Sequence, residues 1–343
     1  MTTTLLQVTG LVKHYPVTRG AVFRRRVGRV EAVDGVSLAV DRGRTLALVG
    51  ESGCGKSTVA RTVLRLVEPT SGSVRFEGEE VTTAPPERLR RLRREMQIVF
   101  QDPYASLNPR LTVRAIISEP FRIQGLDAGG RLAELLEVVG LAPEHGDRYP
   151  HELSGGQRQR VGIARAIALE PKLVVCDEPV SALDVSVQAQ VLNLLVDLQD
   201  RLGLAYLFIA HDLAVVRQIA DRVAVMYLGA IVEEAETDEL FEAPAHPYTR
   251  ALLSAVPIPD PGLQRARTPI LLPGDVEGTS APRDGCRFRN RCPMFARELA
   301  DGERRRCVED VPVFSGRGGD HAAACHYARI RPPPQAAGRP APP

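Results

Sequence analysis

Within eight positions, Gly50-Glu51-Ser52-Gly53-Cys54-Gly55-Lys56-Ser57 brings together an ammonium, two hydroxyls and three glycines. Glycines let a backbone curl until successive N–H groups face anionic oxygens. The spacing G-x-x-x-x-G-K-S is that of a phosphate-binding loop. Lys56 would reach the outer phosphates of a nucleotide, and the Ser57 hydroxyl, with Thr58 alongside, would bind Mg²⁺. Gly50, Ser52, Gly53, Cys54, Gly55, Lys56, Ser57 and Thr58 are therefore candidate nucleotide contacts. Lysine is rare here: Lys13, Lys56 and Lys172 are the only ones among 44 basic residues. One of the three stands where an ammonium is needed.

Two carboxylates follow the apolar run Leu173 to Cys176. Asp177 would hold Mg²⁺ through water, and Glu178 would activate the attacking water. Two neighbouring carboxylates need distinct surroundings to do distinct work. Phosphoryl transfer asks a protein mainly for positioning and charge neutralisation, so the strand before the pair matters as much as the pair. His211 closes the apolar run Leu207 to Ala210 and could contact a γ-phosphate. A histidine there could equally be structural, but Asp212 and the preceding motifs favour the phosphate. Gln101 closes Ile98 to Phe100, where its amide could reach Mg²⁺ or the lytic water. Ser154-Gly155-Gly156 precedes a helix starting near Gln157, and a helix N-terminus with unpaired N–H groups is an anion site. With one phosphate loop already present, a second anion site fits a phosphate held by a partner chain. Tyr15, in Lys-His-Tyr-Pro, could stack on adenine or be an ordinary half-buried tyrosine.

Strands alternating with helices must position these groups. Thr45 to Val49 reads as a strand feeding the loop, and Thr58 to Val67 as the helix leaving it. Further strands are expected at Ile98–Phe100, Leu173–Cys176, Ala205–Ala210 and Arg222–Tyr227, with a helix over Gln188–Leu202. That alternation implies a mostly parallel sheet. Leu5–Leu11 and Val36–Val40 alternate like strands, with Arg19–Arg29 between them as a basic exposed loop. Glu87–Arg94 carries five arginines and reads as a solvated helix face rather than a binding patch. Residues 102–169 are mainly helical in pattern. After His246 prolines and glycines become frequent, and Pro332–Pro343 reads as a disordered tail.

Composition narrows the function. The 343 residues carry a net charge of only +2, which suggests no nucleic-acid partner. No apolar run approaches the length of a membrane-spanning helix. Met1 to Val8 lacks the basic flank and apolar stretch of a secretory signal. A cytosolic setting is expected, where the six cysteines would not normally pair as disulfides.

In their order, these motifs resemble the ATPase subunit of an ATP-binding-cassette (ABC) transporter: Walker A 50–57, Q-loop Gln101, signature 153–157, Walker B 173–178, D-loop 181–184 and H-loop His211. The resemblance covers residues 5 to 240. It implies an α/β P-loop cassette over residues 1–245, with a RecA-like core, an antiparallel β subdomain and a helical subdomain at about 102–169. It also implies that Ser154, Gly155, Gly156 and Gln157 contact ATP held by a partner, with Asp184 beside them. Gln101–Arg110 and His246–Leu253 resemble oligopeptide and dipeptide importers, and Cys176–Asp184 resembles the second of their two ATPase subunits. The family then implies ATP hydrolysis driving peptide import from the cytoplasmic face of the cell membrane. Implied partners are a second, non-identical ATPase, two membrane permeases and an extracellular solute-binding protein. Import of nickel, glutathione or another solute is an alternative within the family. A soluble ABC ATPase acting on DNA or ribosomes is another, although such chains typically hold two cassettes or large inserted arms.

Residues 246–330 hold Cys286, Cys292, Cys307 and Cys325 in a stretch with few large apolar residues. Four thiolates can bind zinc or an iron–sulfur cluster, but the uneven spacing is not that of two CxxC pairs. The importer resemblance implies a [4Fe–4S] cluster; zinc and unligated thiols remain alternatives. Arg283, Arg287, Arg289 and Arg291 could offset a cluster's charge.

Overall fold

Two long strands open the chain in a computed structural model that describes residues 4–19, 25–257, 265, 269–273, 284–318 and 320–328. They are β1 (Thr4–Arg19) and β2 (Arg25–Asp41), paired antiparallel from Thr4↔Asp41 to Arg19↔Arg25. The basic stretch expected as a loop through Arg29 is thus strand from Arg25 onward. Repeated register shifts interrupt this pairing, and each shift breaks the period-two alternation that marks a strand in sequence. With β4 (Ser71–Phe76) and β5 (Glu79–Glu80) they form a sheet in the order β2-β1-β4-β5.

Strand β3 (Thr45–Val49) leads through the loop into α1 (Lys56–Val63). The helix starts at Lys56 rather than Thr58. It stops short of Val67 because Arg65 turns into the left-handed region, at φ 51°. In α2 (Pro86–Glu95) the buried residue is Leu92, and of the arginines only Arg93 turns in, donating to the Arg65 carbonyl at 2.6 Å. Strand β6 (Met96–Val99) precedes a helical layer of α3 (Pro103–Ser106), α4 (Val113–Gln124), α5 (Arg131–Val138) and α6 (Gly155–Ile167). Then come β7 (Leu173–Asp177), α7 (Val185–Leu202), β8 (Ala205–Ala210), α8 (Leu213–Ile219), β9 (Arg222–Tyr227) and β10 (Ala230–Glu236). The last elements are α9 (Thr237–Glu242), α10 (Pro247–Ala255), α11 (Pro293–Arg297), α12 (Asp301–Glu309), β11 (Ser315–Gly318) and β12 (His321–Ala323). The expected tail, Pro332–Pro343, lies outside the described residues.

The main sheet runs β11-β12-β10-β9-β3-β8-β7-β6, parallel from β9 to β6. Its central strands are apolar throughout because both faces are covered. Leu46, Leu48, Val175, Leu207 and Ile209 point into a core shared with the antiparallel sheet and α1. Ala47, Val49, Cys176, Tyr206 and Phe208 point into the larger core on the opposite face.

The region after residue 246 leans on that larger core. Phe288, 1% exposed, meets the rings of Tyr227, Tyr248 and His246 at 5.2–5.5 Å between centroids. Strand β12 pairs antiparallel with β10 at Glu233↔Ala323. A segment poor in large apolar residues gains burial by packing Phe288 against the cassette's Tyr227 and the rings of its own His246 and Tyr248.

Candidate functional site

Parallel strands end on the same side of a sheet, and their C-terminal ends are where such folds gather ligands. The register here aligns Val49 with Ala210, Asp177 with Ile209, and Val99 with Cys176. The phosphate loop, His211, Glu178 and Gln101 therefore emerge side by side. They line one cleft of about 350 Å³ with Ala32, Ser52, Gly53, Gly55, Lys56, Ser57 and Thr58.

Two glycines are required by close approach. Gly50 sits at φ 155°, and a side chain there would come within 2.2 Å of the Met226 carbonyl oxygen. Gly55, at φ 111°, would meet the Ala32 carbonyl oxygen at 2.0 Å. Lys56 is 4% exposed. Its Nζ donates to the carbonyls of Gly50 (2.7 Å) and Glu51 (3.1 Å) and stands 3.9 Å from the Glu178 carboxylate. Cys54 is buried behind the loop, and burial raises its thiol's pKa.

Glu178 is contacted by both of the strand-end side chains beside it. Gln101 Nε2 donates to its Oε2 at 3.0 Å, and His211 Nδ1 lies 3.2 Å from the same oxygen. Its backbone is left-handed, φ 47°, a conformation that costs energy and is held by its surroundings. One anchor is its N–H, which donates to the Ile209 carbonyl at 3.1 Å. Such a carboxylate can accept a proton from a water held between Gln101 and His211. Ser57 Oγ donates to Asp177 Oδ1 at 2.8 Å. Burial raises the Asp177 carboxyl above its usual range, and the Ser57 bond partly offsets this. A hydroxyl and a carboxylate in contact are hard oxygen donors, which fits Mg²⁺. The ion would neutralise phosphate charge when bound.

The signature segment is elsewhere. Ser154 caps α6, its N–H donating to Gln157 Oε1 (2.9 Å) and its Oγ accepting from the Gln157 N–H (3.3 Å). Gly155 opens that helix, and Gly156 packs against Val187, which a side chain there would overlap at 2.5 Å. Residues 154–157 do not line the chain's own cleft. Asp184 caps α7, accepting from the Val187 N–H at 3.0 Å and from Ser186 Oγ at 2.8 Å. These bonds hold its carboxyl below the usual range. Tyr15 is half-exposed, with Lys13 Nζ 5.0 Å from its ring centroid, and it too is not among the residues lining the cleft.

The four late cysteines line one cavity, walled mainly by apolar side chains such as Phe288, Met294, Phe295 and Leu299, with room for about 10 Å³. Burial pushes the Cys286 thiol up to about 12 and also raises Cys292 and Cys307. Among the described residues no three His, Cys, Asp or Glu side chains are placed to hold a metal ion. The expected metal site, iron–sulfur or zinc, therefore gains no support beyond the shared cavity. Nor do the arginines all stand by for a cluster. Arg287 pairs with Asp34 and donates to the Leu228 carbonyl, Arg289 donates to the Asp284 carbonyl, and Arg291 pairs with Glu51. Arg283 lies outside the described residues.

Sequence reasoning missed Ala32, Glu51 and Tyr248. Ala32 lines the cleft from β2, and Tyr248 Oη accepts the Glu51 N–H at 2.9 Å. No local pattern signals contacts made across so much intervening chain.

Known proteins agree with this geometry. An ABC transporter family model matches residues 33–181, and one for the C-terminal region of oligopeptide/dipeptide transporters matches residues 232–298. The oligopeptide transport ATP-binding protein AppF of Bacillus subtilis is 49% identical, over 94% of this chain and 97% of its own. A probable peptide ABC transporter ATP-binding protein of Sinorhizobium fredii is 51% identical, over 98% of this chain and 93% of its own. A solved dimeric ATP-binding cassette in a post-hydrolysis state with ADP and phosphate superimposes with a TM-score of 0.60, at 28% identity. It covers 68% of this chain and 99% of that one. The cleft at the strand ends and this similarity along nearly the whole length place the chain in one family: it belongs to the ATP-binding subunits of ABC transporters, in the oligopeptide/dipeptide import group.

Proposed function

We propose that this chain binds ATP with Mg²⁺ and hydrolyses it to power import of peptides, as a peripheral subunit on the cytoplasmic face of the cell membrane. One observation carries the reading: Gln101 and His211 both hold Glu178 in a cleft shared with the phosphate loop. The relatives' association with oligopeptides supports the substrate class. Among the described residues no helix is long and apolar enough to cross a membrane, so the path for the solute lies in other chains.

Each residue has a role in the reaction. Lys56 leaves the loop carbonyls for phosphate oxygens. Ser57 and Asp177 would hold Mg²⁺, which would neutralise phosphate charge. Gln101 and His211 orient a water, and Glu178 takes its proton as its oxygen attacks the γ-phosphorus. The bond to the β–γ bridging oxygen breaks, leaving ADP and phosphate. Tyr15 stacks on adenine. Residues 154–157 and Asp184 serve ATP bound by a second, non-identical ATPase, a role supported by their position outside the chain's own cleft. Two permeases and an extracellular solute-binding protein complete the assembly.

The organisation follows: a cassette over 1–245 with its helical part at about 102–169, a cysteine-containing region over 246–330, and a tail beyond. The four thiols lining one cavity support a [4Fe–4S] cluster as ligand type, provided their side chains move outward to admit it. Iron and sulfide near four per chain after anaerobic purification, lost in Cys292→Ser, would support the cluster; iron-free protein would end it.

The substrate reading is tested with the assembled transporter in vesicles. Peptide added with the solute-binding protein should stimulate ATP hydrolysis. Stimulation by nickel or glutathione instead would overturn the peptide assignment while leaving the ATPase intact.

A further inference from the structure

The C-terminal region touches the phosphate loop directly at Glu51. Glu51 is the second position of the loop. Its carbonyl accepts from Lys56 Nζ at 3.1 Å, its N–H donates to Tyr248 Oη at 2.9 Å, and its carboxylate pairs with Arg291. The Arg291 contact is two-pronged, 2.7 Å and 3.3 Å, with Arg291 only 12% exposed. Tyr248 and Arg291 both come from beyond residue 245. A second grip lies beside the first: Arg287 pairs with Asp34 on β2, two residues from cleft-lining Ala32. Between the two arginines, Phe288 is anchored among Tyr227, Tyr248 and His246. A loop residue held at its carbonyl, N–H and carboxylate is preorganised, and two of those restraints belong to the C-terminal region.

We propose that Arg291 and Tyr248 are positioning residues for ATP binding, fixing the Glu51 peptide so that the phosphate loop and the C-terminal region each respond to the other's state. Pairing with Arg291 also neutralises a carboxylate at the mouth of a site built for a polyanion. Coupling of this kind is reciprocal: if docking favours nucleotide, nucleotide must favour docking by the same factor. This inference rests on the cleft being the nucleotide site.

The test uses the full-length chain for binding and the assembled transporter, with its partner ATPase, for turnover. Mg-ATP affinity is measured by calorimetry and kcat at saturating ATP for the wild type, Arg291→Ala, Arg291→Lys and Tyr248→Phe. Loss of a partly buried charge-assisted pair should weaken ATP binding about tenfold. The kcat should stay within about twofold, because neither side chain is among the residues lining the cleft and removing such a contact costs binding rather than the chemical step. Lysine, which cannot make the two-pronged contact, should restore only part of the affinity. Hydrogen exchange should show residues 286–292 more protected with Mg-ATP in the wild type, and less so in Arg291→Ala. If Arg291→Ala fails to fold, the lysine and phenylalanine variants carry the measurement. Unchanged ATP affinity in a folded variant overturns the proposal, as does a fall in kcat at unchanged affinity. A wild type that binds no Mg-ATP overturns both this proposal and the nucleotide reading on which it rests.

Discussion

The Arg291–Glu51 contact joins residues next in sequence to two sites, Glu51 to cleft-lining Ser52 and Arg291 to cavity-lining Cys292, and the nucleotide cleft and the cysteine-lined cavity are both built from reactive side chains. In the cleft, Lys56, Ser57, Asp177, Glu178, Gln101 and His211 converge with partners at 2.7–3.9 Å. Its space, about 350 Å³, is lined largely by polar and charged side chains and loop glycines. In the cavity, four thiols face phenylalanine, methionine and leucine around about 10 Å³. There burial pushes Cys286 up to about 12, so without a bound metal group the thiol stays protonated and a poor nucleophile at neutral pH. Residue type alone does not make a site. The difference lies in whether the surroundings stabilise the charged form of each group.

The sharpest way to break this comparison is Glu178→Gln. If the cleft's power rests on a positioned base, ATP hydrolysis should fall about 10³-fold with Mg-ATP binding retained. Near-normal turnover would remove Glu178 from the mechanism. Next comes Phe288→Ala, which empties the aromatic anchor between the two regions. A fully buried ring of this kind should cost about 3 kcal/mol in denaturant unfolding. A change under about 0.5 kcal/mol would mean that the C-terminal region contributes little to the shared core.

The smallest effect concerns two histidines around Glu233. His321 is held by Glu233 at 2.7 Å and Glu239 at 3.1 Å, and these bonds raise its pKa. Its stabilisation is full below its unfolded value of about 6.5 and is lost as pH rises through its raised folded value. Burial instead lowers His246 to about 4, so its contribution is lost as pH falls from about 6.5 towards 4. His321→Gln should flatten the alkaline limb of a stability–pH profile and leave the acid limb in place. An unchanged alkaline limb would show that His321 does not titrate in that range.

Legibility followed the range of the interactions. The phosphate loop, the Asp177-Glu178 pair and the strand ends carrying Gln101 and His211 are local patterns, readable because chemistry demands fixed spacing. The start of α6 was also readable: Ser154 and Gln157 spell a capping box, which places the helix at Gly155 rather than Gln157. The strand from Arg25 was hidden by register shifts. Strands β11 and β12 were hidden because Ser315–Gly318 is short and glycine-containing and His321–Ala323 has only three residues; β12 becomes a strand by pairing with β10, and β11 by pairing with β12. The hold of Arg291 on Glu51 has no local signature at all.

The pairing of β12 with β10 also settles how one edge of the main sheet is closed. A sheet edge left bare offers unpaired N–H and C=O groups to any passing chain. Here β10 is covered by β12, and the outermost strand on that side, β11, has only four residues. His321 arrives with β12 and satisfies the buried Glu233. A protein shortened at residue 245 would therefore lose more than an appendage. It would expose the flank of β10, leave Glu233 without its imidazole partner, and gain a surface on which its own copies could stack.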